Sequence, residues 1–374
     1  MDNFYCKGCL TPRSRPRVVF DKNGFCNACN WAETKKSINW KYKRNDLARI
    51  CDKFRRSDYY DCIVPVSGGK DSSYVAWKMK HELGMNPLCV TFTPPIQTEI
   101  GRQNLENFRN SGFDVMEIRP NPEVYRGLCK RMFIEQARSK FPFVIMIGTG
   151  VAKLALKLDI PFIIYGEEGE TEYSGDSSYL DTVWMPWEYA LNCYHEGNDL
   201  HKYLDEFTLK ELYWWLPPSE KGFEKLAITW WSKFENWDDE LHRDLAVEKC
   251  GLLTSGKQAG TFTSHSQVDD YLQDLHAYEM FIKFGFGRAT GDCNLAIHAG
   301  RMTREEAVEI VKKEDGKFPL DYLGIYSRFF DMSEGEFWGV LERHVNWEVF
   351  QDPHKTGQIK GNYDKPWILK NPIE

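Results

Sequence analysis

The segment VSGGKDSS, residues 66–73, groups residue types that suit the binding of a polyphosphate. Gly68 and Gly69 allow backbone conformations that other residues resist, so successive N–H groups can form a nest for an anion. A helix that begins here would add the positive potential of its N-terminus. The side chains add a cation and further hydrogen-bonding groups: Ser67, Lys70, Asp71, Ser72 and Ser73. The string differs from the Walker A motif, but this density of donors after an apolar segment favours phosphate binding.

Four cysteines near the N-terminus have the spacing of a structural metal site. CKGC and CNAC form two knuckles separated by 16 residues, within the range typical of zinc sites: Cys6, Cys9, Cys26 and Cys29. Four thiolates close a tetrahedral shell and leave no open position, so the site would be structural and not catalytic. The spacing favours zinc, and rubredoxin-like iron or four free thiols are the alternatives. A segment this small has too little apolar content to fold unaided.

The elements that must position these groups alternate along the chain. We predict strands at 61–66, 87–92, 113–118 and 160–165, and helices at 71–83, 99–111, 122–139 and 149–158. Near-continuously apolar strands that alternate with helices predict an α/β fold, a parallel sheet with helices on both faces. Ligands of such sheets bind beyond the carboxyl ends of the strands, at the switch point of the strand order. Residues 66–73 and GEEGETEYSG, residues 166–175, both follow such ends.

The domains are predicted from changes in composition. Residues 1–58 would form the metal ribbon and a linker helix, and 59–175 the phosphate-binding core. Residues 176–285 carry seven of the 13 Trp residues on segments predicted to be helices, including LAITWWSKFENWDDE. These aromatics fit the core of a helical insert, with a platform for a sugar or a base as the alternative. Residues 286–374 would be a C-terminal helical region, in which Thr303 is the N-cap of a helix.

Length, composition and charge are those of a globular protein. The chain has 374 residues, of which 42% are hydrophobic and 28% charged. The net charge of −7 is unevenly distributed, since residues 1–60 carry +8 and the rest −15. Apolar runs are shorter than the ~20 residues that cross a bilayer, and no signal peptide is evident. We therefore expect a cytoplasmic protein with no membrane partner, and the acidic body argues against nucleic acid.

The string SGGKDSS after an apolar strand resembles the PP-loop of the ATP pyrophosphatase superfamily, whose members split ATP between its α and β phosphates. Further segments extend the resemblance over most of the chain: CKGC…GFCNAC, IPFIIYGEEGETEY and KFGFGRATGDCNLAIHAGRMTREEAVEIVKKEDG. Together they resemble the N-acetyl sugar amidotransferases of bacterial surface-polysaccharide biosynthesis, the WbpG and PseA type. The resemblance implies a PP-loop, HUP-like fold that uses ATP, Mg²⁺ and a structural Zn²⁺. It is least specific in the Trp-rich region.

Such enzymes convert the acetamido group of a sugar into an acetamidino group, for lipopolysaccharide O-antigen or nonulosonic acid biosynthesis. The resemblance implies that ATP adenylates the amide oxygen with release of pyrophosphate, and that ammonia then expels AMP. Lys70 and the loop amides would hold pyrophosphate, and Asp71 belongs to the motif. Glu167 and Glu168 are candidates for binding Mg²⁺ or for taking a proton from ammonia, with a solvated acidic loop as the alternative.

Other residues are predicted to contact the nucleotide because they lie at strand ends or at a helix start. Gly148 and Gly150, in IGTGVAK, are predicted to begin a helix that faces the same crevice. The full set outside the loop is Thr91, Phe92, Gly148, Gly150 and Gly166.

An anionic or nucleotide-linked N-acetyl sugar would need cationic contacts. Arginine suits carboxylate and phosphate, and the candidates are Arg288, His298, Arg301 and Arg304. The alternative is that Arg301 and Arg304 only decorate a helix start, and that His298 is a core or surface residue. None of the 11 cysteines has the G-x-C-x-G context of a glutaminase nucleophile. We therefore expect a glutaminase partner, with a possible ammonia-channelling subunit, and the basic ribbon as its docking site.

Two other functions are consistent with parts of the sequence. A PP-loop enzyme of tRNA thiolation also pairs CxxC knuckles with SGGxDS, but it predicts a broadly basic surface and catalytic cysteines near the crevice. Cys62 and Cys89 lie within predicted strands and are poorly placed for this role. A non-catalytic zinc-ribbon scaffold is the other alternative, and the intact Lys70 and Asp71 argue against it.

Overall fold

A computed structural model describes residues 4–254, 259–266, 268–351 and 367–374. Its strands are β1 Cys62–Pro65, β2 Pro87–Phe92, β3 Val115–Ile118, β4 Phe162–Tyr165 and β5 Ala227–Trp230. They form one parallel sheet in the order β3-β2-β1-β4-β5. The prediction of an α/β protein with a parallel sheet is confirmed, and β1 to β4 lie within the four predicted strands.

The fifth strand corrects the prediction for the Trp-rich region. Residues 226–240 were expected to be helical, but β5 pairs with β4 from Phe162↔Ala227 to Tyr165↔Trp230. Its sequence, AITW, includes β-branched and aromatic residues, which favour a pleated and buried surface. The region 176–285 therefore supplies an edge strand of the core sheet in addition to its helices.

Helices cover the sheet and make up most of the remaining described chain. The α-helices are α1 Asn27–Lys35, α2 Trp40–Phe54, α3 Lys70–His81, α4 Glu99–Asn110, α5 Pro122–Gln136, α6 Phe141–Leu158, α7 Gly169–Glu172, α8 Trp187–Tyr189, α9 Glu220–Phe223, α10 Asp239–Cys250, α11 Tyr271–Phe284, α12 Arg288–His298, α13 Arg304–Glu314, α14 Leu323–Phe330 and α15 Glu334–Arg343. The N-cap role of Thr303 is confirmed, since its side chain and Glu306 form a capping box.

The helix α6 begins eight residues earlier than predicted, at Phe141 and not at 149. Pro142 lies in its first turn, where proline is tolerated because the N–H that it lacks would be unpaired anyway. Gly148 and Gly150 therefore lie inside a helix, and the prediction that they begin one is wrong.

Alternate residues of each strand face two separate cores. In β1, Ile63 packs into a core shared with α5 and α6, whereas Cys62 and Val64 pack into a core shared with α2 and α3. This alternation follows from the period of two residues in a strand. Both faces of the sheet are therefore covered, and ligands have access only at its ends.

Aromatic residues of the Trp-rich region mostly belong to these cores. Trp215, Trp230 and Trp231 are at most 1% exposed, and Trp237 is 6% exposed. Trp184 is the most exposed of the seven, at 40%. Packing therefore explains most of this composition, as the core interpretation predicts.

The most apolar helix is α6. By length and composition it could cross a membrane, but 61% of it is buried inside the protein. It packs against β1, β2 and β4. Its hydrophobicity is therefore that of a helix in the centre of the fold.

The two glycines of α6 give a matched test of how tightly this helix packs. A Cβ at residue 150 would lie 2.4 Å from the ring of Phe92, whereas a Cβ at residue 148 meets Tyr194 at 3.4 Å. Gly150→Ala should lower the free energy of unfolding by about 1–3 kcal/mol, because the core has no room for the methyl group. Gly148→Ala should be neutral or raise it by up to about 1 kcal/mol, since alanine favours the helix. Urea unfolding of both variants checks this, and equal effects would contradict it.

Candidate functional site

The strand order fixes where a ligand can bind. The order reverses between β1 and β4, because the chain runs outward from β1 through β2 to β3 and then returns to add β4 on the other side. A crevice forms at the carboxyl ends of strands at such a switch point. Residues 66–73 follow β1 and residues 166–175 follow β4, so the two segments singled out from the sequence meet at this crevice.

The loop after β1 has the backbone geometry of an anion site. Gly68 has φ +81°, and a Cβ there would lie 2.7 Å from the backbone nitrogen of Leu105. No other residue type fits this position without strain. Gly69 is the N-cap of α3 and supplies no side-chain cap, so the first N–H groups of the helix lack a side-chain acceptor. The serines shape the loop: Ser72 Oγ accepts from Ser67 N–H at 3.2 Å, and Ser67 Oγ from Gly69 N–H at 3.2 Å.

Lys70, which is buried, and Asp71, which is partly buried, form an ion pair in the first turn of α3. Lys70 Nζ lies 2.5 Å from Asp71 Oδ2, and the lysine is 9% exposed. The other carboxylate oxygen, Oδ1, lies 3.0 Å from Nδ1 of His242 in α10. Burial would raise the pKa of Asp71, but Lys70 and His242 outweigh it and hold that pKa below its usual range. Asp71 is therefore ionised, with both oxygens held.

Glu167 is the titratable group on the opposite side of the crevice. Burial and the negative charge of Asp71 raise the pKa of Glu167 to about 7, against the opposing effect of Lys70. A carboxyl group with this pKa can give or take a proton near neutral pH. Asp71 and Glu167 are also the kind of oxygen donors that Mg²⁺ prefers, so the residues present fit that ion.

The neighbouring Glu168 has a structural role. It is 1% exposed and is the N-cap of α7, where its carboxylate accepts from the N–H groups of Glu170 and Thr171. The hydroxyl groups of Thr171 and Tyr189 also donate to it. These bonds occupy its oxygens, so of the two adjacent glutamates only Glu167 is available to a ligand.

The other predicted nucleotide contacts fall into two groups. Phe92 packs against Gly150 and Trp214, and Gly148 lies next to Tyr194. These contacts are core packing under the sheet. Thr91, at the end of β2, and Gly166 remain at the carboxyl edge. A Cβ at Gly166 would lie 3.0 Å from the ring of Trp237 and 3.6 Å from Cβ of Asp71, so this glycine lets the β4 loop approach the β1 loop.

The four predicted substrate residues are separated. Arg288 begins α12, pairs with Asp292 at 2.8 Å and lies within electrostatic reach of Glu167 and Asp71. Arg301 donates to Asp238 at 2.8 Å and to Asp239 at 2.7 Å. Arg288 is thus paired with Asp292 within electrostatic reach of the two crevice carboxylates, whereas Arg301 is paired with two aspartates.

His298 and Arg304 lie away from Asp71 and Glu167. His298 Nε2 lies 3.3 Å from Sγ of Cys29, beside the cysteine cluster. Arg304 begins α13 and forms no ion pair with a residue that the structure describes. His298 and Arg301 share one cavity of about 320 Å³, between α1, α10 and α12, which Trp237 separates from Gly166. Its charged lining is balanced: Lys35, Lys36, Arg301, Glu172, Asp238 and Asp239.

The four predicted metal ligands converge. The sulfur atoms of Cys6, Cys9, Cys26 and Cys29 all lie within 4.8 Å of one another. Two of the Sγ–Sγ distances, Cys9–Cys26 and Cys6–Cys29, are 3.6 Å, close to the ~3.8 Å edge of a tetrahedron with metal–sulfur bonds of ~2.3 Å. The donor set therefore fits one tetrahedral metal ion.

The cysteine cluster is docked onto the loop that carries Glu167. Ser174 Oγ donates to Cys26 Sγ at 3.2 Å, and Arg17 pairs with Glu170. In α1, Trp31 Nε1 and Lys35 Nζ both donate to Glu172 at 2.8 Å. The metal-binding ribbon therefore holds residues 170–175 in place and, through them, one wall of the crevice.

Two residues that line the crevice were missed in the sequence. His242 and Asp239, both in α10, approach the β1 loop although they follow it by about 170 positions. Burial opposes ionisation of Asp239, but His265, Lys70 and Arg301 together lower its pKa. The string WDDELHRD has a capped helix start with an acidic first turn, and this was the available signal.

Comparison with known protein families gives one match, which covers part of the chain. Residues 259–360 match the family described as "LPS biosynthesis protein WbpG-like, C-terminal domain". Among solved structures, the U34-tRNA thiolase NcsA from Methanococcus maripaludis is 13% identical, with a TM-score of 0.34 over 80% of this chain and 88% of that chain. A predicted subunit of tRNA methyltransferase from Methanocaldococcus jannaschii is 14% identical, with a TM-score of 0.29 over 61% and 90%. No curated protein matches the sequence.

The cysteine cluster predicts a bound zinc ion. The protein should contain about one zinc per chain, and Cys9→Ser should lose it and expose the ribbon to proteolysis, because a structural zinc site contributes directly to folding. Cys193→Ser, outside the cluster, is the matched control and should keep the metal. Elemental analysis and limited proteolysis measure both effects. Stoichiometric iron in the wild type, or full zinc in Cys9→Ser, would contradict the prediction.

Proposed function

We propose that this chain, whose residues 259–360 match the family described as "LPS biosynthesis protein WbpG-like, C-terminal domain", is an ATP-dependent amidotransferase. It would convert the acetamido group of a sugar into an acetamidino group. The observation that carries the proposal is the glycine loop at the switch point, which faces a carboxyl group whose pKa is about 7. The first feature suits a polyphosphate, and the second suits proton transfer at neutral pH.

The loop would hold the β and γ phosphates of ATP. The backbone nest at Gly68 and the uncapped N-terminus of α3 supply N–H donors and positive potential. Lys70 adds a cation that is already directed into the crevice by Asp71. Mg²⁺, when bound by Asp71, would supply charge neutralisation at the phosphates.

The proposed reaction has two nucleophilic displacement steps. In the first, the amide oxygen of the acetamido group attacks the α phosphorus, and the bond to pyrophosphate breaks. In the second, ammonia attacks the former carbonyl carbon, the carbon–oxygen bond breaks, and AMP leaves with that oxygen. The nitrogen then loses protons to give the amidine, and Glu167 is placed to accept one of them. Activation is needed because an amide oxygen is a poor leaving group; positioning and charge stabilisation would supply most of the rate.

The sugar would approach from the side of α12. Of the four predicted substrate residues, Arg288 lies within electrostatic reach of Glu167, so it is the candidate contact for the acidic or nucleotide-linked end of the sugar. Arg301 is neutralised by Asp238 and Asp239 and would act only through them. Ammonia would come from a glutaminase partner docked on the basic ribbon, residues 1–58, with a channelling subunit as a further partner.

The proposed chemistry predicts specific products. With Mg²⁺, ATP, an ammonium salt and an N-acetyl sugar acid or UDP-linked N-acetyl sugar, the protein should form AMP, pyrophosphate and a sugar in which NH replaces the acetamido oxygen. Ser67→Ala combined with Asp71→Ala should reduce turnover about 10²-fold or more, because the loop loses shape and charge. The exposed Ser57→Ala is the control and should be unchanged. Mass spectrometry and nucleotide chromatography measure the products, and formation of ADP would rule the reaction out.

Glu167 predicts a pH dependence. Since its pKa is raised to about 7, the carboxylate form that accepts a proton is lost as pH falls below 7. At constant free ammonia, kcat/KM should rise about tenfold per pH unit below 7 and level off above it. Glu167→Gln should lower kcat and remove this dependence, whereas the exposed Glu188→Gln should leave it unchanged. An unaltered profile in Glu167→Gln would show that another group accepts the proton.

A further inference from the structure

His242 lies beside the phosphate loop but comes from a different part of the chain. It is in the first turn of α10, a helix that packs along α3, and its side chain is 0% exposed. Its Nδ1 lies 3.0 Å from Asp71 Oδ1. Because a carboxylate can only accept, this nitrogen carries the proton of the hydrogen bond.

Two aromatic rings fix the orientation of the imidazole. The ring centroid of Tyr74 lies 4.0 Å from that of His242, and the ring of Trp237 meets it edge-on at 4.1 Å. These rings are themselves held: the Tyr74 hydroxyl donates to Glu235 at 2.5 Å, and Trp237 packs against Gly166. Rotation of the imidazole away from Asp71 would therefore require both neighbours to move.

The second ring nitrogen shows that packing alone does not explain a histidine here. Nε2 of His242 is buried and has no hydrogen-bond partner among the described residues. An unpaired buried polar atom destabilises the folded protein, so an apolar ring would fill this space at lower cost. The hydrogen bond from Nδ1 to Asp71 is the contact that an apolar ring would lose.

That bond matters most when nucleotide binds. Asp71 is held at one oxygen by Lys70 and at the other by His242. A triphosphate in the loop competes with Asp71 for the ammonium group of Lys70, because phosphate oxygens accept strongly from a cation. His242 is then the described contact that continues to fix the carboxylate, and it cannot itself reach a phosphate from its buried position.

We propose that His242 is a positioning residue, which holds the Asp71 carboxylate in the orientation needed for binding of ATP with Mg²⁺. The inference rests on the proposed ATP site and adds to it a residue outside the loop. The hydrogen-bonded neighbours of metal-binding carboxylates act in this way in metal sites generally.

Three substitutions at position 242 separate this role from packing. His242→Asn places an amide N–H where Nδ1 now is, His242→Gln moves it one bond further along the side chain, and His242→Phe keeps the ring without a donor. The dissociation constant of ATP in the presence of Mg²⁺, measured by calorimetry without sugar or ammonia, should rise about 10–100-fold for His242→Phe and His242→Gln. His242→Asn should stay within about threefold of the wild type, since the hydrogen bond is retained.

The control is Tyr203→Phe, which removes the hydroxyl group that donates to Glu135 from a buried ring outside this aromatic cluster. It should bind ATP with Mg²⁺ as the wild type does, and thermal unfolding reports the stability of every variant. Equal losses in His242→Asn and His242→Gln, or an unchanged dissociation constant in His242→Phe, would overturn the inference. If His242→Phe does not fold, the comparison of the Asn and Gln variants decides. A wild type that binds no ATP would instead overturn the proposed function.

Discussion

The ion pair of the buried Lys70 with Asp71 is the interaction on which the crevice depends. A lysine that is 9% exposed must have a partner, because an unpaired charge away from water is strongly destabilising. Its partner is the adjacent residue in the first turn of α3, and Gly68, with positive φ, lets the chain turn from β1 into that helix. The pair therefore ties together a strand end, a helix start and the second helix, α10, through His242. Buried pairs of this kind contribute little to net stability, so the arrangement is better explained by function.

The second wall of the crevice is built by long-range contacts. Glu168 orders α7 from within, and the cysteine ribbon orders the same loop from outside through Arg17, Trp31 and Lys35. A loop held from two sides can keep Glu167 partly buried and close to Asp71, although the two carboxylates repel each other. The cysteine cluster is thus remote from Asp71 and yet helps to hold the loop that carries Glu167. Under the proposed function, this would explain why a structural ribbon belongs to the same chain as a nucleotide site.

The parts of the site that were predicted from the sequence are those whose geometry depends on residues close together in the chain. The glycine loop and the CxxC knuckles are short patterns whose geometry follows from neighbouring residues, and β1 to β4 follow from continuous apolar runs. Features set by distant partners were not predictable in this way. Arg301 was predicted to bind an anion because its partners, Asp238 and Asp239, lie about 60 positions away in the sequence. Their pairing with Arg301 could not be predicted from neighbouring residues. Glu167 and Glu168 look equivalent in the sequence, but in the folded chain Glu168 is the N-cap of α7 and Glu167 is not. The strand β5 was missed because its pairing with β4 outweighs the helical pattern around it.

The charges of the crevice side chains bear on how a nucleotide and a divalent cation would bind there. Without nucleotide, the cations Lys70 and Arg288 face the carboxylates of Asp71, Asp239 and Asp292. Burial and this excess of negative charge raise the pKa of Glu167, so this residue keeps its proton up to near neutral pH. A triphosphate would add several negative charges to the same crevice, and the helix N-terminus and Lys70 alone would not offset them. A divalent cation bound together with the nucleotide would restore the balance and, by adding positive charge, would lower the pKa of Glu167. Ionisation of Glu167 would then accompany nucleotide binding, so that a proton acceptor is present when ammonia is to be deprotonated.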